Sequence, residues 1–277
     1  MNRYSRHIIL SEIGSTGQEK LSKAKILVVG AGGLGCPILQ YLVAAGIGTI
    51  GIIDFDTVEE SNLQRQVLFG TSSIGKNKAI VAKKRLDDLN DTIKIVAYPE
   101  KLTSQNAIEI FKNYDVIVDG TDNFATRYLI NDTCILTNKP MVFGAIHKFE
   151  GQVSVFNYEN GPSYRCLFPK EPQKNDVGNC TEIGVLGVLP GIIGTLQANE
   201  VLKIILGIGK IASGKLVHFN ALTLETVTLK INKNEAAILK VINSKATFST
   251  KFTNESCDFK IPEINIKIYF FRKYSVY

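Results

Sequence analysis

The sequence has few cysteines and no paired cysteine motif. Its 277 residues contain five cysteines, an odd number, and no CxxC pair. A disulfide framework needs an even set of cysteines in an oxidising compartment, whereas free thiols persist in the reduced cytosol. We therefore expect a cytoplasmic protein without a disulfide framework. The cysteines are Cys36, Cys134, Cys166, Cys180 and Cys257.

The sequence also lacks a concentrated positive patch. The net charge is +6, but the basic residues are scattered, and the densest cluster is KKR at 83–85. A solvated helix face explains so small a cluster better than a nucleic-acid site does. We expect no nucleic-acid partner.

No apolar run is long and continuous enough to suggest a membrane span. The two apolar tracts, 26–53 and 183–209, are interrupted by glycines, and Pro190 also breaks the second. Their pieces are shorter than the roughly 20 residues that a span needs. The first residues, MNRYSRHIILSEIGS, carry no cleavage-site pattern of a signal peptide. We therefore expect neither membrane insertion nor secretion.

The chain does contain an alternation of apolar strands and helices. Strands followed by helices of 10–17 residues predict a parallel, doubly wound sheet. The segments 151–157 and 215–231 alternate with period two, which is typical of antiparallel strands. We predict an α/β fold, a Rossmann-like, doubly wound, mainly parallel sheet extended by antiparallel strands. The predicted parallel strands are 25–30, 49–54, 93–98, 115–120 and 140–146. The predicted helices between them are 34–46, about 73–89, one from near Thr103 and one from near Asn123.

The second half of the chain changes character. Residues 158–182 are rich in loop-forming residues, and an apolar helix is predicted at about 191–206. After residue 240 the composition turns polar and irregular. We predict one domain at 1–240 and an irregular C-terminal tail at 241–277.

A glycine-rich loop, GAGGLG at 30–35, connects the first predicted strand to the first predicted helix. Glycines let backbone N–H groups approach phosphate, and the N-terminus of the following helix adds a favourable dipole. Gly30, Gly32 and Gly33 are therefore candidate nucleotide-binding residues. A tight turn without a ligand is the other interpretation, and the loop does not indicate which nucleotide binds.

Asp54 ends the second predicted strand. An acidic residue at this point of a dinucleotide-binding unit can hold the ribose hydroxyls, and a strand-end carboxylate in water is the other interpretation. Because NAD and ATP both contain ribose, Asp54 does not distinguish between them.

The segment after Asp54 does distinguish between the two nucleotides. Within IIDFDTVEESNLQRQ at 52–66, the sequence has Asn62, Gln64, Arg65 and Gln66 almost side by side. An enzyme that transfers hydride needs cations only where it binds the pyrophosphate of its dinucleotide. An enzyme that catalyses displacement at a phosphoryl group depends on positioned cations and hydrogen-bond donors. Arg65 offers a rigid fork for phosphate, and the amides are neutral donors. The sequence therefore favours an ATP site.

Two further charged residues belong to the same hypothesis. Lys78, in GKNKA at 75–79, lies in the first turns of a predicted helix, where it can reach phosphate or remain on the surface. Asp122, in DGTDNFATR at 119–127, follows the fourth predicted strand and can cap the next helix or carry Mg²⁺. Ligands of open α/β sheets bind beyond the carboxyl ends of the strands, where Asp122 is expected.

Seven sequence motifs follow one another along the chain: RYSRHIIL (3–10), GAGGLGC (30–36), DFDTVEESNLQRQ (54–66), GKNKA (75–79), GTDN (120–123), YRCLFP (164–169) and NCTEIGVLGVLPGIIGTLQANEVLK (179–203). In this order they resemble the MoeB/ThiF/HesA family, the bacterial relatives of ubiquitin-activating enzymes. The resemblance covers roughly residues 1–235 and is highly specific, because it extends far beyond the glycine loop.

The resemblance implies a homodimeric adenylyltransferase. With ATP and Mg²⁺, such an enzyme converts the C-terminal Gly-Gly carboxylate of a ubiquitin-like sulfur carrier protein to an acyl-adenylate and releases pyrophosphate. Carriers of this kind serve molybdopterin or thiamine biosynthesis. Asp122 would hold Mg²⁺, and Arg6 would reach the phosphates bound by the other subunit. By matching motif, the implied ATP-binding residues are Gly33, Asp54, Ser61, Asn62, Leu63, Gln64, Arg65, Lys78, Asp122 and Asn123.

The sequence departs from the family pattern in its cysteines. Zinc-bearing members carry two CxxC pairs, but YRCLFP has proline at position 169, and no downstream pair exists. Cys166, Cys180 and Cys257 have no usual spacing for a four-thiolate site. We expect no zinc.

Cys180 matches a cysteine that forms a covalent sulfur link to the carrier in some members of the family and is dispensable in others. No cationic residue flanks it in GNCTE, so the sequence gives no sign of a lowered thiol pKa. Cys36 and Cys134 lie in predicted helices and are expected to be packed thiols. The candidate catalytic residues are Arg6, Arg65, Lys78, Asp122 and, where a covalent link forms, Cys180.

Three alternatives to this function follow from the same residues. One is a non-catalytic scaffold that holds the carrier, and another is an NAD-dependent Rossmann oxidoreductase. The four phosphate-directed charges argue against a scaffold. The third is a family member that activates a small-molecule or tRNA-borne carboxylate, although SNLQRQ and YRCLFP favour a carrier protein. Many relatives continue into a rhodanese domain, for which the residues after 240 are too few, so we expect none.

Overall fold

The apolar runs of the sequence become the strands of one sheet. A computed structural model describes residues 3–171 and 184–248, and within them eight strands pair in the order β3-β2-β1-β4-β5-β6-β7-β8. The strands are β1 (Lys25–Val29), β2 (Thr49–Ile53), β3 (Lys94–Tyr98), β4 (Val116–Asp119), β5 (Met141–His147), β6 (Glu150–Phe156), β7 (Lys215–Asn220) and β8 (Thr226–Lys230).

The sheet is parallel in its first half and antiparallel in its second. β3, β2, β1, β4 and β5 run parallel, whereas the pairs β5–β6, β6–β7 and β7–β8 are antiparallel. The predicted α/β fold class is therefore confirmed. In the register of the sheet, Val29 lies beside both Ile53 and Asp119. The residues that follow β1, β2 and β4 consequently meet at one edge of the sheet, which we call the carboxyl edge.

Helices cover both faces of the sheet. Alternate residues of β1 point to opposite faces, as strand geometry requires. Ile26 and Val28 join a core with α3, α4 and α8, while Leu27 and Val29 join a second core with α5 and α6. The helices are α1 (Ser5–Ile8), α2 (Gly14–Lys23), α3 (Gly35–Ala44), α4 (Lys78–Leu89), α5 (Ala107–Phe111), α6 (Phe124–Thr137), α7 (Tyr164–Leu167), α8 (Leu189–Leu206) and α9 (Glu235–Phe248).

Helix α8 is the most apolar long helix of the described residues. By length and composition alone it could cross a membrane, but 50% of it is buried inside the molecule. It packs on α3 and on β5, and Gln197 in its middle is fully buried. These contacts are those of a core helix.

Two helices begin later than the sequence predicted. The helix predicted from about residue 73 begins at Lys78, because Thr71–Ser73 forms a separate 3₁₀ turn and Gly75 has a φ of +81°. The helix predicted from near Thr103 begins at Ala107. There the Asn106 side chain accepts a hydrogen bond from the Thr103 N–H (2.8 Å), which holds the preceding residues in a turn.

Helix α9 crosses the predicted domain boundary at residue 240. It continues to Phe248, and Val241 within it is buried. The prediction of irregular chain is therefore wrong for residues 241–248. Residues 249–277 lie outside the described residues, and the division into a domain and a tail stays a prediction.

Candidate active site

The glycine loop joins β1 to α3 and lies against the end of β4. Gly30 has a φ of +93°, and a Cβ built on it would lie 2.8 Å from the carbonyl oxygen of Gly120. A side chain at Gly35 would overlap the carbonyl oxygen of Gly30. Both positions require glycine, the first for its backbone conformation and both for space. The loops after β1 and β4 therefore touch at the carboxyl edge.

Asp54 connects the end of β2 to the same loop. Its Oδ2 accepts a hydrogen bond from the Ala31 N–H (2.8 Å), and its Oδ1 accepts one from the Asp56 N–H (2.9 Å). Burial raises the pKa of Asp54 above its ordinary value, and the two backbone hydrogen bonds oppose this shift only in part. Each carboxylate oxygen can accept a further hydrogen bond, so Asp54 can still receive a ribose hydroxyl.

The polar segment after β2 places Arg65 beside the glycine loop. Arg65 Nη1 donates to the carbonyl oxygen of Ser61 (3.0 Å), and a Cβ built on Gly33 would lie 3.6 Å from Arg65 Cδ. This single hydrogen bond leaves most of the guanidinium donors for a ligand. Gln64 is exposed and contacts Gly187, two residues before α8, where a side chain would overlap the side-chain oxygen of Gln64.

Asn62 and Leu63 have a different environment from Arg65. Asn62 is buried, and its Oδ1 accepts a hydrogen bond from the Glu59 N–H (3.3 Å). This contact closes the 3₁₀ turn Glu60–Asn62. Leu63 packs against the larger core. Both residues therefore shape the segment that presents Arg65.

Lys78 is buried rather than on the surface. It is the first residue of α4 and only 7% exposed. Its Nζ donates to Asp56 Oδ2 (3.2 Å), which extends the hydrogen bonds of Asp54. The side chain of Asn77 caps the helix by accepting the Ile80 N–H (3.1 Å). The surface alternative for Lys78 is wrong.

Asn123, and not Asp122, caps the helix after β4. Asn123 Oδ1 accepts the Thr126 N–H (2.9 Å) at the start of α6. Asp122 is exposed, and its carboxylate has no hydrogen bond or ion pair within the part of the chain that is described. The capping alternative for Asp122 is wrong, and the carboxylate is free to bind a ligand.

A buried ion pair that the sequence analysis missed fixes the loop before Asp122. Asp119, the last residue of β4, is fully buried and accepts hydrogen bonds from the Thr121 N–H (2.9 Å) and hydroxyl (2.6 Å). Arg127 Nε donates to Asp119 Oδ2 (3.0 Å), and Nη2 donates to the Thr121 carbonyl (3.0 Å). Burial acts to lower the pKa of Arg127, but the charge of Asp119 outweighs it and raises that pKa. DGTDNFATR contains both residues, yet their pairing depends on burial that the motif does not reveal.

Arg6 does not join this group of residues. It is exposed on α1, at the opposite end of α4 from Lys78. Arg3, next to α1, donates from Nη1 to the carbonyl oxygen of Leu89 (2.8 Å), the last residue of α4. A helix of 12 residues is about 18 Å long. Arg6 is therefore remote from the glycine loop of its own chain.

The described cysteines are free thiols. Cys36 and Cys134 are buried, as predicted. Burial raises the pKa of Cys36 to about 12 and that of Cys134 well above its ordinary value, so both stay protonated at neutral pH. The predicted role of Cys180 falls outside the described residues and stays a prediction.

The residues around Cys166 hold its sulfur by hydrogen bonds. The N–H groups of Ser163 (3.3 Å) and Asn234 (3.2 Å) both donate to its Sγ. Among residues 3–171 and 184–248, no group of three or more His, Cys, Asp and Glu side chains could hold a metal ion. The expected absence of zinc stays a prediction.

The geometry thus brings most of the predicted residues to one crevice at the carboxyl edge. The glycine loop contacts Asp54, Arg65 and the end of β4, and Lys78 joins through Asp56. This edge presents a backbone loop suited to phosphate and the two cations Arg65 and Lys78, and the free Asp122 comes two residues after Gly120, which touches the loop. Such a group can bind a nucleotide triphosphate and neutralise charge at its phosphates.

Comparison with known proteins agrees with this geometry. The model of the ThiF family matches residues 4–239. A sulfur carrier protein adenylyltransferase of Thermus thermophilus is 52% identical over 239 residues, which are 84% of this chain and 88% of the relative. The adenylyltransferase and sulfurtransferase MOCS3 of Xenopus laevis is 50% identical over 85% of this chain and 52% of its own length. The chain therefore spans most of the first relative and about half of the second.

Solved structures have the same fold at lower identity. Escherichia coli MccB with MccA-N7isoAsn has a TM-score of 0.74 and 23% identity, over 84% of this chain and 72% of that protein. MccB with ATP has a TM-score of 0.73 with the same identity and coverage. Together with the family match over residues 4–239, these likenesses identify the fold and the ancestry. The chain belongs to the ThiF family.

Proposed function

We propose that the protein is an ATP-dependent adenylyltransferase that activates the C-terminal Gly-Gly carboxylate of a ubiquitin-like sulfur carrier protein. The observation that carries the proposal is the arrangement at the carboxyl edge. Arg65 lies beside the glycine loop, and Lys78 connects to the loop through Asp56 and Asp54. The free Asp122 comes two residues after Gly120, which touches the loop. The name of the Thermus relative, 52% identical, supports both the reaction and the carrier. An NAD-dependent oxidoreductase would leave these charges without a use.

The proposed reaction is a displacement at the α-phosphorus of ATP. A carboxylate oxygen of the carrier forms a bond to the α-phosphorus, while the bond to the bridging oxygen of pyrophosphate breaks and pyrophosphate leaves with the electron pair. Arg65 stabilises the charge that develops on the phosphates. Lys78 adds a cation that burial shields from water, so its interaction with phosphate is strong. Asp54 holds the ribose from the end of β2.

Asp122 is the residue that we propose for Mg²⁺. Mg²⁺ prefers oxygen ligands and commonly uses one or two protein carboxylates together with substrate phosphates, so one free carboxylate fits this need. When bound, the ion would neutralise phosphate charge. The clamp of Asp119 and Arg127 holds the preceding loop, so that the Asp122 carboxylate is presented at a fixed place.

We further propose a homodimer in which Arg6 serves the active site of the partner. The remoteness of Arg6 from its own glycine loop supports this arrangement. A mixture of inactive Arg6→Ala and Arg65→Ala proteins, after exchange of subunits, should regain about one quarter of the wild-type activity, because half of the dimers contain one intact composite site. A mixture that stays inactive would exclude sharing of the site.

The adenylation reaction is tested by exchange of labelled pyrophosphate into ATP. Exchange should depend on a carrier protein with an intact Gly-Gly terminus. Carriers of molybdopterin biosynthesis and of thiamine biosynthesis are both supplied in the assay. Arg65→Ala should lower the rate by about 100-fold or more while the thermal unfolding curve is unchanged. Exchange that continues without any carrier, or that survives in Arg65→Ala, would overturn the proposal.

A further inference from the structure

Three buried glutamines each leave a side-chain oxygen without a hydrogen-bond partner. The oxygens are Oε1 of Gln18, Gln66 and Gln197, and these residues are 7%, 4% and 0% exposed, respectively. Buried polar atoms of native proteins are nearly always paired, so each exception needs an explanation.

In two of the three glutamines, the side-chain nitrogen Nε2 donates a hydrogen bond although Oε1 accepts none. Gln18 Nε2 donates to the Ala45 carbonyl (2.9 Å), and Gln197 Nε2 donates to the Asp119 carbonyl (2.8 Å). These side chains tie α2 and α8 to neighbouring segments. Gln66 differs, because within the described residues its Nε2 makes no hydrogen bond either. Its entire carboxamide is unused by the fold.

The unused amide of Gln66 lies against the glycine loop. The backbone of Gln66 is fixed, since its N–H donates to the Asn62 carbonyl (2.9 Å) and its own carbonyl accepts the Phe69 N–H (3.0 Å). Its Nε2 would lie 3.8 Å from a Cβ built on Gly32. Arg65 makes the corresponding approach to the next glycine, Gly33. Two consecutive residues thus approach two consecutive glycines of the phosphate-binding loop.

We propose that Gln66 is a further substrate-contacting residue, whose Nε2 donates a hydrogen bond to a phosphate oxygen of the bound nucleotide. The inference rests on the proposed function, since it assigns a role within the same crevice. A neutral amide adds a donor beside Arg65 without adding charge repulsion between neighbouring cations. The buried atom of this amide is Oε1, which costs stability without a partner, whereas Nε2 is not among the buried atoms and is accessible to a ligand. Such local costs are typical of binding sites.

The test compares Gln66→Met with the matched control Gln18→Met. Methionine keeps the length of glutamine and removes both polar atoms. Gln66→Met should unfold at the same or a higher temperature, because it removes the buried, unpaired Oε1. It should nevertheless bind ATP with Mg²⁺ about ten- to a hundredfold more weakly by calorimetric titration, because it lacks Nε2. Gln18→Met should unfold at a lower temperature, because it loses the bond to Ala45, and should bind ATP as the wild type does.

Three results would overturn the inference. The first is an ATP affinity of Gln66→Met within about twofold of wild type. The second is a loss of affinity that Gln18→Met shares. The third is a lower unfolding temperature of Gln66→Met with unchanged pyrophosphate exchange, as expected if the amide holds only a structural water. If Gln66→Met does not fold, Gln66→Glu replaces it, and a carboxylate facing phosphate should weaken ATP binding at least as much. Wild-type protein that binds no ATP would instead refute the proposed function itself.

Discussion

Two aspartates at the ends of parallel strands, Asp54 just after β2 and Asp119 in the last position of β4, make the same local turn, but their environments differ. In each aspartate, Oδ1 accepts a hydrogen bond of 2.9 Å from the N–H of the residue two positions later. Asp119 is fully buried and pairs with Arg127. Asp54 is only partly buried, and its second oxygen reaches the glycine loop through Ala31.

The difference separates a structural carboxylate from a ligand-binding one. The charge of Asp119 is fully used inside the protein, where Arg127 and Thr121 satisfy it. Asp54 forms no ion pair within the described residues and keeps capacity for a further hydrogen bond. A strand-end aspartate in the sequence is therefore an ambiguous signal, and the buried arginine decides which role it has.

The largest expected effect comes from breaking the buried pair. Arg127→Ala leaves the Asp119 carboxylate buried without its partner, which should lower the free energy of unfolding by about 3–5 kcal/mol in urea titrations. The double variant with Asp119→Ala should lose less than the sum of the two single losses. A loss below about 1 kcal/mol in Arg127→Ala would show that Asp119 is no more structural than Asp54.

The next largest effect distinguishes Asp122, which is expected to act in the reaction, from the Asp119–Arg127 pair, which is expected to stabilise the fold. Asp122→Ala should leave the free energy of unfolding within about 0.5 kcal/mol of wild type, because its side chain is exposed and unbonded. The rate of pyrophosphate exchange should nevertheless fall by about 100-fold or more. Unchanged exchange in a folded Asp122→Ala protein would remove Asp122 from the site.

A smaller effect, on the free energy of unfolding, is expected at Asn123, next to Asp122. Asn123→Ala removes the cap of α6 and should lower the free energy of unfolding by about 1 kcal/mol. Thermal or urea unfolding of the Asn123→Ala and Asp122→Ala proteins, measured side by side, gives the difference between their free energies of unfolding. Equal stabilities of the two variants would contradict the assignment of the cap to Asn123.

The smallest effect is the pH dependence of Asp54. Burial raises its pKa in the folded state, so the folded protein holds its proton more tightly than the unfolded chain does. As pH rises from about 4, the ordinary value of a carboxyl, through the raised folded value, the contribution of Asp54 to the free energy of unfolding should fall and then level off. Urea unfolding of wild type and Asp54→Asn across this range isolates the contribution. A contribution that grows with pH would mean a lowered pKa.

Much of the fold could be predicted because its strands are apolar and buried on both faces. The strand predicted at 25–30 corresponds to β1, and the period-two segment 151–157 corresponds to the antiparallel β6. Helix starts were less predictable, since turns such as the one at Gly75 interrupt a continuous helical pattern. The N-terminal helices α1 and α2 were not predicted, because α1 has only four residues and α2 has Leu21 as its one large apolar residue.

Site residues could be predicted from sequence where the residue type itself indicates the role. They were harder to predict where the role depends on whether the side chain is buried. The glycine loop and Arg65 were identifiable from spacing and charge. The cap at Asn123 required the backbone geometry, because Asp122 and Asn123 are equally good capping residues. The roles of Arg127 and Gln66 required knowledge of which polar groups are buried and which have partners.

The central claim is that the carboxyl edge holds a triphosphate for attack by a carrier carboxylate. Intact-mass measurement of the carrier after incubation with ATP, Mg²⁺ and the protein tests this most directly. The account predicts a gain of one adenylyl group on the Gly-Gly terminus, absent with Asp122→Ala. A carrier of unchanged mass, with ATP converted to ADP and phosphate, would contradict it.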